Sequence, residues 1–173
     1  MRISSKTVAI RYVAEEDAEF ITRLRTDEKY NKYLSAVSGD VESQRVWIRN
    51  YKDDEARGLQ YYFIVERLDG TRCGTVRIYD IKPESFCWGS WILNEEKTPY
   101  AALESAFLVY EFGFGYLGFN KSHFEVRKGN EKVVSFHRKM GAVKVGENEL
   151  YDFFEIDKEA VALTRVKLSS KLA

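Results

Sequence analysis

The chain opens on a short alternation of β-branched and polar positions, Val8–Tyr12, which predicts a first strand. The acidic run Glu15-Glu16-Asp17 that follows suits a helix N-terminus, and the pattern carries a helix to about Tyr33. A small, polar loop over 34–39 leads to a second helix over 41–52, where Asp40 can cap free N–H groups and Trp47, Ile48 and Tyr51 share one face. Residues 61–66 and 73–79 flank Leu68-Asp69-Gly70-Thr71, whose Asp-Gly pair supplies the positive φ angles of a tight hairpin. A further strand over 86–93 is entered through Lys82-Pro83-Glu84, which cannot continue a ladder. The richest apolar run, 100–119, carries Glu104 and Glu111, seven apart and so on one helical face, while Gly113, Gly115 and Gly118 loosen its end. It predicts a buried helix, not a membrane span. A strand over 122–127, a helix over Glu131–Met140 and a closing hairpin of 142–146 and 151–156 turning near Asn148 complete the order. The tail, 158–172, reads as a short helix or a frayed end.

The helix between the strands at 86–93 and 122–127 makes them a parallel pair in an otherwise antiparallel sheet. The expected fold is therefore α/β: one domain, 1–173, with a mixed, mostly antiparallel twisted sheet of about seven strands and helices on both faces. No repeat or Pro/Gly/Ser-rich linker divides the chain. Composition narrows the function. Lys plus Arg number 27 and Asp plus Glu number 27, so no net charge recruits nucleic acid or an anionic membrane. Cys73 and Cys87 are too few for a disulfide framework and match no zinc spacing, and with two histidines no metal site is expected. The N-terminal segment lacks a signal-peptide pattern, and a cytoplasmic protein is expected. Neither cysteine has a histidine near it in sequence, so no thiol nucleophile is expected.

The chemistry sits in Val126-x-x-x-Asn130-x-x-Val133-x-x-x-His137-x-x-x-Gly141: a strand end, a turn, an amphipathic helix and a glycine stop. This stretch, and the element order of nearly the whole chain, resembles the GNAT superfamily of acyl-CoA-dependent N-acetyltransferases. The resemblance implies a cofactor cleft between the fourth and fifth of the expected strands and acetyl-CoA as co-substrate. It places His137 where the family has a tyrosine that protonates departing thiolate, and an imidazolium there would be a general acid. Asn130 would hold a cofactor amide or tie the strand end to the helix, and Lys139 would pair with a cofactor phosphate.

The family's phosphate loop corresponds to Lys97-Thr98-Pro99-Tyr100-Ala101-Ala102, in which Tyr100 replaces a glycine and Pro99 has no N–H to donate. Thr98 as N-cap with Pro99 at the first helical position would still aim free N–H groups at a pyrophosphate. The strand Phe86-Cys87-Trp88-Gly89-Ser90-Trp91-Ile92-Leu93 resembles the one that splays from its neighbour and pairs with pantetheine near Trp91, Ile92 and Leu93. Trp88 and Trp91, three apart, are expected on opposite faces.

Leu24-Arg25 with Asn31 resembles the acetyltransferases of nucleotide-linked amino sugars, including the pseudaminic-acid branch. That implies a small-molecule amine acceptor held by Arg25, Asn31, Tyr33, Arg77 and Tyr79. Asp80, Glu84, Glu125 or a water chain would deprotonate the amine, and transfer would be direct and sequential. A protein N-terminal amine, as in the ribosomal-protein acetyltransferases, is the rival acceptor, and a non-catalytic acyltransferase-like binding module is the rival class. A homodimer stays open.

Overall fold

The computed structural model describes residues 1–33, 36–37 and 39–172, so part of the loop expected over 34–39 lies outside the described residues. The strands are β1 (Arg2–Ser4), β2 (Val8–Tyr12), β3 (Tyr61–Arg67), β4 (Arg72–Tyr79), β5 (Ser85–Leu93), β6 (Lys121–Arg127), β7 (Val143–Glu147) and β8 (Tyr151–Asp157). They form one sheet in the order β1-β2-β3-β4-β5-β6-β8-β7. Only β5 and β6 run parallel, and they pair only over Ser85–Cys87 against Lys121–His123. The sheet thus has eight strands where about seven were expected. The addition is β1, three residues long and too short to carry a period-two signal. It is fixed at the edge because Arg2 on β1 and Arg11 on β2 both bond Glu66 of β3, at 2.9 and 3.0 Å.

Two cores fill the two faces. On one, α1 (Ala18–Thr26) and α2 (Val41–Ala56) bury Ile21, Ile48 and Tyr51 against Tyr62 and Ile64. On the other, α3 (Ala101–Tyr110), α4 (Glu131–Met140) and α5 (Lys158–Lys167) cover Phe86, Trp88, Phe124 and Phe154, and α6 (Ser169–Leu172) ends the described chain. The tail is therefore helical, with Asp157 capping α5 by accepting from Ala160 N at 2.7 Å. Asp40 caps α2 as its position predicts, accepting from Glu42 N at 3.0 Å.

The first helix stops at Thr26, seven residues before Tyr33. The Thr26 hydroxyl bonds back to Thr22 O at 2.7 Å, and Asp27 turns extended and accepts from Lys29 N at 2.9 Å, a local alternative to helical bonding. Ahead of it, fully buried Asp17 accepts from Arg11 (2.9 Å), Arg72 (2.7 Å) and Ala14 N (2.8 Å), tying the helix entrance to two strands.

The long apolar run does not stay α-helical. After Tyr110 it widens into a π-turn over Glu111–Tyr116, closed by Leu117 N bonding Phe112 O at 2.9 Å. The two glutamates of the expected common face differ in burial, Glu104 being buried where Thr7 N bonds it and Glu111 exposed at the start of the π-turn. Gly113 is required there, because a Cβ would lie 2.1 Å from the Phe86 ring. No helix among the described residues is long and apolar enough to cross a membrane.

Candidate functional site

The site begins with a miscount between two strands. Between the pairs Thr75↔Ile92 and Arg77↔Gly89, β4 spends two residues and β5 three, a β-bulge at Ser90 whose φ is 48°. The extra residue corrects the expected opposition of the two tryptophans. Trp88 and Trp91 lie on the same face with ring centroids 5.2 Å apart, and both donate to α3: Trp88 Nε1 to Tyr110 Oη at 3.1 Å, Trp91 Nε1 to Ser105 Oγ at 3.2 Å. β5 pairs with β6 no further than Cys87, and beyond that point a cleft of about 600 Å³ opens between them. These are the fourth and fifth of the strands expected from sequence, so the cleft falls where it was placed.

Of the expected cofactor residues, Trp91, Ile92, Leu93, Lys97, Ala102 and Asn130 line this cleft, with His137. Four do not. Thr98 is no N-cap: its hydroxyl meets Thr7 Oγ1 at 2.7 Å, part of a network with buried Glu104, and Tyr100 occupies the cap position. Pro99 accordingly precedes the helix and does not open it. Tyr100 is exposed, and Ala101 is wholly buried. Lys139 points away from the cleft to a shallow depression shared with Glu131, Arg138 and Asp152, because it lies two residues past His137 on α4. Sequence reading missed Lys29, Arg127 and Lys132, which line the cleft with Lys97. Four cations face one carboxylate, Glu125, a balance suited to a phosphorylated ligand.

His137 is 5% exposed, enclosed by Phe124 (ring centroids 4.1 Å), Trp88 (5.3 Å) and Phe136 (5.8 Å). Burial pushes its pKa down to about 3. The imidazolium expected from sequence is therefore corrected to a neutral ring, since no compensating charge offsets desolvation. Its Nδ1 is buried without a hydrogen-bond partner among the described residues, the mark of a polar atom kept for a ligand.

The expected acceptor residues divide. Tyr33 and Tyr79 line the cleft, Tyr33 donating to Gly129 O at 3.0 Å. Arg25 and Arg77 line a second cavity of about 380 Å³ with Ser43, Gln44, Trp47 and Tyr62. Asn31 lines neither. Arg77 sits 4.6 Å from the Tyr79 ring centroid and 6.0 Å from that of Trp47, donates to Gln60 at 3.0 Å, and has its pKa lowered by burial. Because Arg77 and Tyr79 are two apart on β4, the cavities are neighbours. Among the candidate bases, Asp80 bonds His123 (2.9 Å), which meets Ser85 Oγ at 2.6 Å, and Glu84 is exposed in the β4–β5 turn. Burial pushes the Cys73 thiol up to about 11 and Cys87 to about 12, as expected of thiols that are not nucleophiles.

A bulged strand parting from a parallel neighbour thus leaves a cationic cleft where the acyl-CoA co-substrate is expected. The residues fit the co-substrate, since lysines surround the mouth and an unpaired buried nitrogen lies within. The acetyltransferase (GNAT) domain model matches residues 7–143, and the chain belongs to that family. It is an acetyl-CoA-dependent N-acetyltransferase. Among solved structures it is similar to apo FdhC, a nucleotide-linked sugar GNAT, at 50% identity and TM-score 0.92, over 100% of this chain and 99% of that one. Mycobacterium smegmatis RimJ in complex with CoA-disulfide superposes with TM-score 0.80 at 16% identity (97% and 94% covered). Vibrio cholerae spermidine N-acetyltransferase in complex with CoA and spermine gives 0.72 at 17% (90% and 98%). A search of curated protein sequences finds no match.

Proposed function

We propose that the acceptor is the primary amine of a nucleotide-linked amino sugar, acetylated directly with both substrates bound. The observation that carries this reading is the second cavity: two arginines beside Trp47 and Tyr62, with no carboxylate among the described residues that line it. A guanidinium pair recognises a diphosphate, and an indole offers a face to a base. A polycation such as spermine would need the opposite charge. The similarity to a nucleotide-linked sugar GNAT supports the same acceptor. A cytoplasmic location follows from the co-substrate and the two free, buried thiols.

Acetyl-CoA supplies the activated acetyl group. Lys97 and Lys132 would hold its phosphates, the β5 backbone near Trp91, Ile92 and Leu93 its pantetheine amides, and Asn130 would fix the turn into α4. His137 acts neutral, its ring hydrogen-bonding the thioester end from within the aromatic cage. The test is an acceptor panel of a nucleotide-linked amino sugar, a polyamine and an N-terminal peptide, followed by release of free thiol. Turnover of the sugar nucleotide that falls at least tenfold in kcat/KM on Arg77→Met, with acetyl-CoA binding unchanged, supports the reading. Turnover of the peptide or polyamine alone would sink it.

A further inference from the structure

We infer that Glu125 is the catalytic base that takes the proton from the acceptor amine, where the row from Arg77 past Tyr79 meets the cleft. The inference rests on the proposed acceptor site only for where the amine arrives.

Register fixes the geometry. Tyr79 pairs with Cys87 and Cys87 with His123, and residues opposite one another in register share a face. Two residues further along their strands, Arg77, Gly89 and Glu125 follow on that face. Phe124, against the His137 ring, lies on the other. The row therefore crosses the sheet where β5 and β6 separate, with Arg77 in the acceptor cavity at one end and Glu125 in the cleft at the other. The middle position has no side chain of its own and is covered by Tyr79, whose hydroxyl would lie 2.9 Å from a Cβ on Gly89. An acceptor anchored at Arg77 can extend along Tyr79, which lines both this row and the cleft, to reach Glu125.

Glu125 is the only carboxylate among the described residues lining the cleft, and it is exposed to it. Its rivals are committed elsewhere: Asp80 to His123 and Lys82, Glu84 to the turn. The Glu125 charge is felt by its neighbours. Burial raises the Tyr79 hydroxyl and the Cys87 thiol, and Glu125 adds to both. The other ionisable groups on its face are His123 and Arg127 on β6 and Tyr151 and Glu155 on β8, with Lys29 and Tyr30 from the segment after α1 also lining the cleft. In the step, one N–H bond of the ammonium breaks and its proton passes to Glu125. The nitrogen lone pair then forms the C–N bond to the thioester carbonyl, the second N–H proton of the resulting adduct passes to the departing sulfur as the C–S bond breaks, and the neutral amide and the free thiol are left.

The experiment measures steady-state rates of Glu125→Gln between pH 6 and 9.5, alongside Asp80→Asn, with whichever panel amine the wild type acetylates. We expect kcat to fall about 100-fold or more with KM for both substrates little changed. The deficit should shrink as rising pH supplies free amine, and formate should partly restore Glu125→Ala. Asp80→Asn should keep its rate. Acetyl-CoA binding and melting temperature of the variants serve as the fold control. A Glu125→Gln kcat within about threefold of wild type, or a loss confined to KM, would overturn the assignment, as would wild-type turnover of no amine. If the wild type acetylates a peptide and Glu125→Gln still loses kcat, the acceptor reading fails and the base stands.

Discussion

His137 gives the sharpest quantitative test, because its burial is a statement about stability as well as protonation. In the unfolded chain the imidazole titrates near its ordinary value of 6.5, whereas in the folded protein burial holds it near 3. Between those values the unfolded state binds a proton that the folded state refuses, so stability must fall as pH falls. Each pH unit below 6.5 costs about 1.4 kcal/mol, so about 2.7 kcal/mol is lost by pH 4.5 and almost nothing at pH 7. Replacing the ring by an aromatic that cannot titrate, His137→Phe, removes this component while keeping contacts with Phe124 and Trp88. Urea unfolding of both proteins at pH 7.0 and 4.5 isolates it, because every other titrating group is common to the pair. The wild type should lose about 2.5 kcal/mol more than His137→Phe over that interval. Equal losses would show that the ring is protonated or exposed in the folded state, and would restore the imidazolium.

Three further outcomes follow from the same structure. Asp17→Asn should destabilise by about 3 kcal/mol in denaturant titration, since it strips buried partners from Arg11 and Arg72. Burial alone would raise the Asp17 pKa, but Arg11, Ala14 N–H and Arg72 hold it below the ordinary carboxyl value, so this contribution is present at neutral pH and lost as pH falls through the depressed value. Gly113→Ala should lower the melting temperature, with an overpacking cost of about 1–3 kcal/mol against Phe86, and Phe86→Leu should relieve part of it. Iodoacetamide at pH 7.5 should leave both thiols of the native protein unmodified and alkylate them in urea, counted by mass spectrometry.

The chain's periodicity carried most of the architecture. Strand alternation, the Asp-Gly turn and the Asp40 cap are local signals, and each element they predict is present. What was hidden depends on counts and distances that no window contains. The three-residue β1 is held by Glu66, sixty-odd positions away. The π-turn arises where Gly113 presses on Phe86, and the bulge at Ser90 shows only against the length of β4. In the site, the spacing from Val126 to Gly141 led to His137, but not to its protonation, which is set by rings from Trp88, Phe124 and Phe136 on other segments or turns. Lys139 is expected from its place on the His137 helix and lies off the cleft, whereas Lys132 on the same helix reaches it, as does Lys29 from a segment with no motif of its own.

The bulge at Ser90 also gives the fold a form of arithmetic fragility. A strand one residue longer than its neighbour is what turns Trp91 toward α3. Drawing Ser90 into the ladder as an ordinary strand residue would leave both cores intact in composition, yet would reverse the facing of Trp91. The protein would keep its sheet and lose the tie from Trp91 to Ser105 on α3.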